Sequence, residues 1–249
     1  MKLISNIKLL TISLTALCTL SACDPEEPTS ELGNGTPKAS NIVCASNYDY
    51  QVNSTGLVTR IEDATITYPQ SNRAVMTTPY YTYIFAFGDN NYASKILWID
   101  EEGYTGTIDL KYNSQGQLTY FDDCGDKLEL EYFNGNLSKV TGSADGDSQY
   151  AIFTYTNQNE FAKYSMTPFM LKVNLGGNMP PMNWWLEMGL DYAAYIGFLG
   201  KPFTHNLPAT VTIYDQYNDE PEKYEFTYTD VLNENGEIVK SYYKQEHIQ

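Results

Sequence analysis

Apolar and polar residues alternate with a period of two over most of this chain. The clearest run is Pro79 to Phe87: Tyr81, Tyr83, Phe85 and Phe87 fall on one face, and Tyr80, Thr82, Ile84 and Ala86 on the other. Successive strand side chains point to opposite faces, so the run predicts a strand with one aromatic face. Residues 105–112, 127–133, 149–155 and 211–217 predict further strands. Between them lie Asn113-Ser114-Gln115-Gly116, Asn134-Gly135, Asn157-Gln158-Asn159-Glu160 and Asn233-Glu234-Asn235-Gly236. Asn and Gly tolerate the left-handed backbone that hairpin turns need, so these segments predict antiparallel hairpins. The expected fold is mainly β, a curved antiparallel meander.

A loose repeat underlies the pattern. Tyr112 to Tyr120 recurs as Tyr132 to Val140 and again as Tyr155 to Tyr164, with a further copy at Tyr228 to Lys240 and a partial one at Gly56 to Ile61. The spacing of about 20 residues suits one hairpin per unit. The motif resembles the tyrosine- and glycine-marked hairpins of YD-repeat proteins. One segment departs from the β pattern. Asn183 to Leu199 is apolar nearly all round, with only Glu187 and Asp191 charged, and is bracketed by Pro180-Pro181 and Gly200-Lys201-Pro202. It predicts a buried helix, packed on the concave face of the sheet. Two acids in mid-segment argue against a membrane span.

The end of that helix carries a second resemblance. Gly197-Phe198-Leu199-Gly200-Lys201-Pro202, then His205-Asn206-Leu207-Pro208 and the strand Val211 to Tyr214, resembles a family of Bacteroidota lipoproteins of unknown function. The resemblance spans roughly residues 45–245. It implies a porin-like fold, a strongly curved antiparallel sheet, and brings no catalytic residues.

The N-terminus supplies an address. Lys2 and Lys8 precede an apolar stretch from Ile7 to Leu20, about 14 residues and too short for the roughly 20 that a spanning helix needs. Leu20-Ser21-Ala22-Cys23 matches a bacterial lipobox. The match implies a signal peptide over residues 1–22 and acylation of Cys23, which would hold the protein to a membrane. Asp24-Pro25-Glu26-Glu27-Pro28 resembles the signal that sends such lipoproteins to the cell surface of the outer membrane; a periplasm-facing position is the alternative. Residues 23–41 read as a disordered acidic tether, and residues 42–249 as a single β-rich domain. Without the leader the chain carries 15 − 2 = 13 basic and 31 acidic residues, a net charge of −18. That excludes nucleic acid as a partner.

Cys44 and Cys124 remain once Cys18 leaves with the leader and Cys23 is acylated. In an oxidising compartment they could form a disulfide, closing a loop of roughly 80 residues for about 3–5 kcal/mol in the chain-entropy model. Catalytic constellations are missing: no metalloprotease, nucleophile-elbow, phosphate-loop or dinucleotide motif occurs, and only His205 and His247 are present. His205 is expected to make a structural hydrogen bond. The acids at Asp122, Asp123 and Asp126 and at Asp145 and Asp147 read as solvated turns without the calcium-loop pattern. No enzyme activity, metal or cofactor is expected. Trp184 and Trp185 are the candidate ligand contacts, for sugar stacking or an apolar pocket. The favoured role is a non-enzymatic binding module for a glycan, peptide or envelope partner. A periplasmic lipid carrier or assembly factor and a structural scaffold are the alternatives.

Overall fold

The computed structural model describes residues 34–39, 48–144, 146–164, 166, 168–169, 190–214 and 220–248. The strands begin with β1 (Tyr50–Val52), β2 (Val58–Ile61), β3 (Ala64–Gln70), β4 (Arg73–Thr77) and β5 (Tyr81–Phe87). They continue with β6 (Ala93–Asp100), β7 (Thr105–Tyr112), β8 (Leu118–Asp123), β9 (Asp126–Phe133) and β10 (Asn136–Ala144). The series ends with β11 (Asp147–Tyr155), β12 (Pro208–Tyr214), β13 (Glu222–Leu232) and β14 (Ile238–Ile248). They form one 14-stranded sheet in sequence order, each strand antiparallel to the next, with β1 and β14 as its open edges. Strands are present at all five places predicted from alternation, although residues 215–217 of the last one lie outside the described residues. The turn expected at 157–160 is not a hairpin. It opens the long connection from β11 to β12, which begins with a 3-10 turn at Phe161–Tyr164.

One face of the sheet is the core. Phe85, Ile96 and Ile108 stand in register across β5, β6 and β7, and Leu130, Val140, Ala151 and Ile213 across β9 to β12; all are buried. This face is covered by the β11–β12 connection. Its helix α1 (Leu190–Tyr195) buries Leu190, Ala193, Ala194 and Tyr195. The helix expected over 183–199 therefore ends at Tyr195, while residues 183–189 lie outside the described residues. Gly197 explains the end: at φ 80° it adopts the left-handed conformation, its N–H donating to Ala194 O and that of Phe198 to Ala193 O. This is a Schellman cap, favoured at glycine. Phe198 then packs on the aromatic face of β5, 5.0 Å from the Phe85 ring and 4.9 Å from Phe87. The sheet curves around this segment, as expected.

Residues 198–207, which hold most of the family-like motif, run as a strap across the hairpin ends. Phe198 O accepts from Ala93 N, Lys201 N donates to Gly116 O, Phe203 O accepts from Leu137 N, and Leu207 O from Thr156 N, each at 2.8 Å. Geometry fits this path. The strap passes from β6 to β11, five strand spacings or about 24 Å, and nine extended residues reach about 30 Å. Gly200 sits at the tightest crossing, with φ 89°, where a Cβ would lie 2.6 Å from Gly116 O. Asn136 fixes the strap's far end: its Oδ1 accepts from Thr204 Oγ1, His205 N and Asn206 N, and its Nδ2 donates to Asn206 Oδ1. His205 takes part through its backbone, with its exposed ring beside Gly135.

The repeated tyrosines serve the same rim. Tyr68 donates to Val58 O, Tyr112 to Ala93 O, Tyr132 to Leu118 O and Tyr228 to Pro208 O, each at 2.7 Å, and Tyr155 donates to Leu137 O. Each acceptor lies at the beginning of an even-numbered strand. The turn asparagines have an equally defined role. Asn53, Asn113 and Asn233 each accept the N–H groups two and four residues on, closing one five-residue turn three times. Residues 34–39, within the expected tether, also lie on this rim. Asn34 N donates to Asp89 Oδ1 and Thr36 N to Asn91 Oδ1, so the folded part reaches further toward the N-terminus than residue 42.

Asn136→Ala removes one side-chain acceptor shared by three donors. It should cost about 2–4 kcal/mol in urea unfolding, because the stranded donors lose their partner; a loss under about 0.5 kcal/mol would show that the strap holds without it.

Candidate functional site

An up-and-down sheet has two rims, one at each end of its strands. Turns from odd to even strands, with residues 34–39 and the strap, make the first rim. Turns from even to odd strands make the second. Counting turn residues, the strap and the strand residues at each end, the strapped rim carries Lys38, Arg73 and Lys201 against Asp89, Glu234 and Glu237, a net of 3 − 3 = 0. Nearby Lys163 pairs with Asp230 at 2.7 Å and with Glu160 at 3.7 Å. The opposite rim, counted in the same way over described residues, carries ten acids and no base. Glu62 and Asp63 follow β2, Asp100, Glu101 and Glu102 lie between β6 and β7, and Asp123 and Asp126 flank the β8–β9 turn. Asp147, Glu220 and Glu222 complete the set.

The inner face just inside the acidic rim is polar and aromatic. Tyr83 is opposite Trp98, and Trp98 is opposite Gly106. With no side chain at Gly106, the indole lies across β7; a Cβ there would be 2.4 Å from Trp98 Cε2. The ring thereby reaches β8, where Trp98 Nε1 donates to Asp123 Oδ1 at 3.1 Å. Burial pushes the Asp123 carboxyl up to about 6, the Trp98 hydrogen bond opposing the shift and Asp126 and Asp122 adding to it. Asp191, in the first turn of α1, is also pushed up to about 6 by burial, against two backbone hydrogen bonds. Burial raises the Tyr83 phenol, as do Tyr81 and both carboxylates, which places Tyr83 in the neighbourhood of Asp191 and Asp123.

At the lip of this rim, Tyr80, Tyr81, Asp100, Glu101 and Glu102 line an open cleft of about 420 Å³. Asp100 is used structurally, accepting from Glu102 N and Tyr104 N to close the turn. Tyr80, with Glu101 and Glu102, is exposed. Tyr81 stacks on Tyr83 at 5.7 Å and meets Trp98 edge-on at 6.4 Å, joining the lip to the buried row.

Cys23, Cys44, Trp184 and Trp185 lie outside the described residues. Cys124 is disulfide-bonded and occupies the β8–β9 turn at φ 56°. The Asp122–Asp126 turn is only partly the solvated cluster expected. Asp122 accepts from Tyr120 and Gly125 N, whereas Asp123 is buried, because it follows Phe121 at strand period and shares its inward face. Among the described residues, no three His, Cys, Asp or Glu side chains converge as a metal site. Where α1 and the strap meet the sheet, Leu190, Ala194, Ile196, Phe198 and Leu199 are each at most 3% exposed. Sequence reasoning missed Trp98 and Gly106; Phe121-Asp122-Asp123 carried the period-two signal for a buried acid.

These features define an open, 14-stranded antiparallel meander sheet with one covered face. A solved structure of a porin-like protein from Bacteroides uniformis matches it with a TM-score of 0.54 and 17% sequence identity, over 84% of this chain and 87% of that one. At that identity the match speaks for the fold. No family model matches the chain. No curated protein matches it either.

Asp123 gives the site a pH signature. Its folded value lies above the ordinary 3.8, so its stabilising contribution is full below that value and is lost as pH rises through about 6. Asp123→Asn keeps an acceptor for Trp98 but cannot ionise. The variant should match the wild type in unfolding free energy near pH 4 and exceed it by at most about 2–3 kcal/mol at pH 7, one pKa unit being about 1.4 kcal/mol. An offset that does not change with pH would contradict the assignment.

Proposed function

We propose that this chain is an outer-membrane lipoprotein, held by acyl chains on Cys23, that acts as a non-enzymatic binding module through its acidic rim. The segregation of charge carries this reading: ten described acids without a base at one end of the sheet, and no net charge at the other. Carboxylates such as Glu101 and Glu102 accept hydrogen bonds from sugar hydroxyls or pair with a basic peptide, and tyrosine faces such as Tyr80 stack on apolar sugar faces or aliphatic stems. A glycan, a peptide and an envelope protein all fit this chemistry. Trp184 and Trp185 remain proposed contacts.

Native mass spectrometry of the mature chain after exposure to mixed glycans and envelope extract should return a stoichiometric adduct. A clean apo mass would count against a tight ligand and favour a scaffold working through protein contacts. The triple change Tyr80→Ala, Glu101→Gln, Glu102→Gln should weaken a retained ligand by tenfold or more while leaving the melting temperature nearly unchanged. Retention at wild-type affinity would move the site away from this rim.

A further inference from the structure

We infer that the strapped rim faces the membrane and that the tip of the β13–β14 hairpin rests in the lipid surface. The inference builds on the acylation of Cys23 proposed above and adds an orientation and a second contact, neither of which acylation supplies. Three separate observations lead to it.

The first is where the tether ends. Asn34 is bound to the β5–β6 turn, in the middle of the strapped rim. From Cys23 to Asn34 is 11 residues, at most about 36–40 Å of extended chain. A nine-residue strand such as β10 is about 31 Å long. Turning the acidic rim to the lipid would require the tether to run the length of the sheet, consuming nearly all its reach. With the strapped rim toward the lipid no such span has to be bridged.

Charge is the second. Membrane surfaces carrying anionic headgroups repel carboxylates and attract bases, with an effect that fades within a Debye length. A rim with ten described acids is held off such a surface, whereas the rim with three acids and three bases is not.

The third is exposed apolar surface at the right place. The β13–β14 turn, Asn233 to Glu237, belongs to the strapped rim, and the residues flanking it are bare: Leu232 is 56% exposed, Ile238 53% and Val239 61%. Leu232 and Ile238 are directly paired across the hairpin and form an apolar pair at its tip, with exposed Val239 next along β14. Such side chains enter the boundary between headgroups and acyl chains. Glu234 and Glu237 at the turn limit the tip to shallow insertion, and the nearest base on β14 is Lys240.

The test uses the lipidated full-length protein in isolated outer membranes. Val239→Cys and, in a separate variant, Glu102→Cys are labelled with an environment-sensitive fluorophore, and quenching by nitroxide lipids is measured. Ile238→Cys replaces Val239→Cys if the latter folds poorly. The tip label should be quenched at least twofold more than the Glu102 label, and the difference should vanish in detergent. Equal quenching in protein that is membrane-bound would overturn the orientation and leave the anchor intact. Protein absent from the membrane fraction would overturn the anchor, and the orientation with it.

Discussion

Strand ends in an open meander carry backbone amides and carbonyls that the ladder leaves unpaired, and burying such groups without partners is costly. This constraint governs the strapped rim. Ala93 has its N–H bound by Phe198 O and its carbonyl by the Tyr112 hydroxyl; Leu137 has the same two partners in Phe203 O and the Tyr155 hydroxyl. One rule of completion, repeated along the sheet, joins the tyrosines of the repeat to the strap. The tyrosines on the even-strand carbonyls are therefore structural donors. Burial raises the phenols of Tyr112, Tyr132 and Tyr155, which keeps them protonated and donating.

Alternation made the strands readable because burial of a single sheet face imposes a period of two, and runs such as Tyr81 to Phe87 record it directly. The repeated Tyr was readable as a repeat, though its acceptors were not, since a hydroxyl meeting a carbonyl 10 to 20 residues away leaves no local signature. The third copy shows where the pattern stops being informative. Tyr155 occupies its usual place and reaches Leu137 O, yet the Asn-rich residues after it open a long connection, because the next strand is supplied only at Pro208. The strap was visible as a motif but not as a strap; its partners are residues such as Ala93 and Gly116, far away in sequence. At the candidate site, Asp123 was hidden by its neighbours. Three acids around one turn look solvated, and only the inward phase set by Phe121 separates the buried one from the rest.

The two rims also divide the labour of the molecule. Asn, Gly and Tyr at one end satisfy backbone groups and need little charge, so side chains there are committed to holding the sheet together. At the other end Thr78, Asp100 and Asp122 hold the turns through their side chains, while Glu101, Glu102 and Tyr80 stand exposed to meet something outside. Trp98 links the exposed lip to the interior, its indole lying over Gly106 and ending on a carboxylate that titrates near 6.

The strap has a consequence for the order of assembly. Hairpins joining neighbouring strands close small loops, whereas the Ala93–Phe198 contact closes a loop of about a hundred residues, and the entropy of that closure must be met before the contact returns anything. Its binding positions are the ends of hairpins β5–β6, β7–β8 and β9–β10, which do not exist as a row until those hairpins have paired. A chain emerging from its N-terminus can assemble the row before residues 198–207 arrive. The latch is thus written after the door, and residues upstream of it spend the interval as a sheet with an uncovered aromatic face.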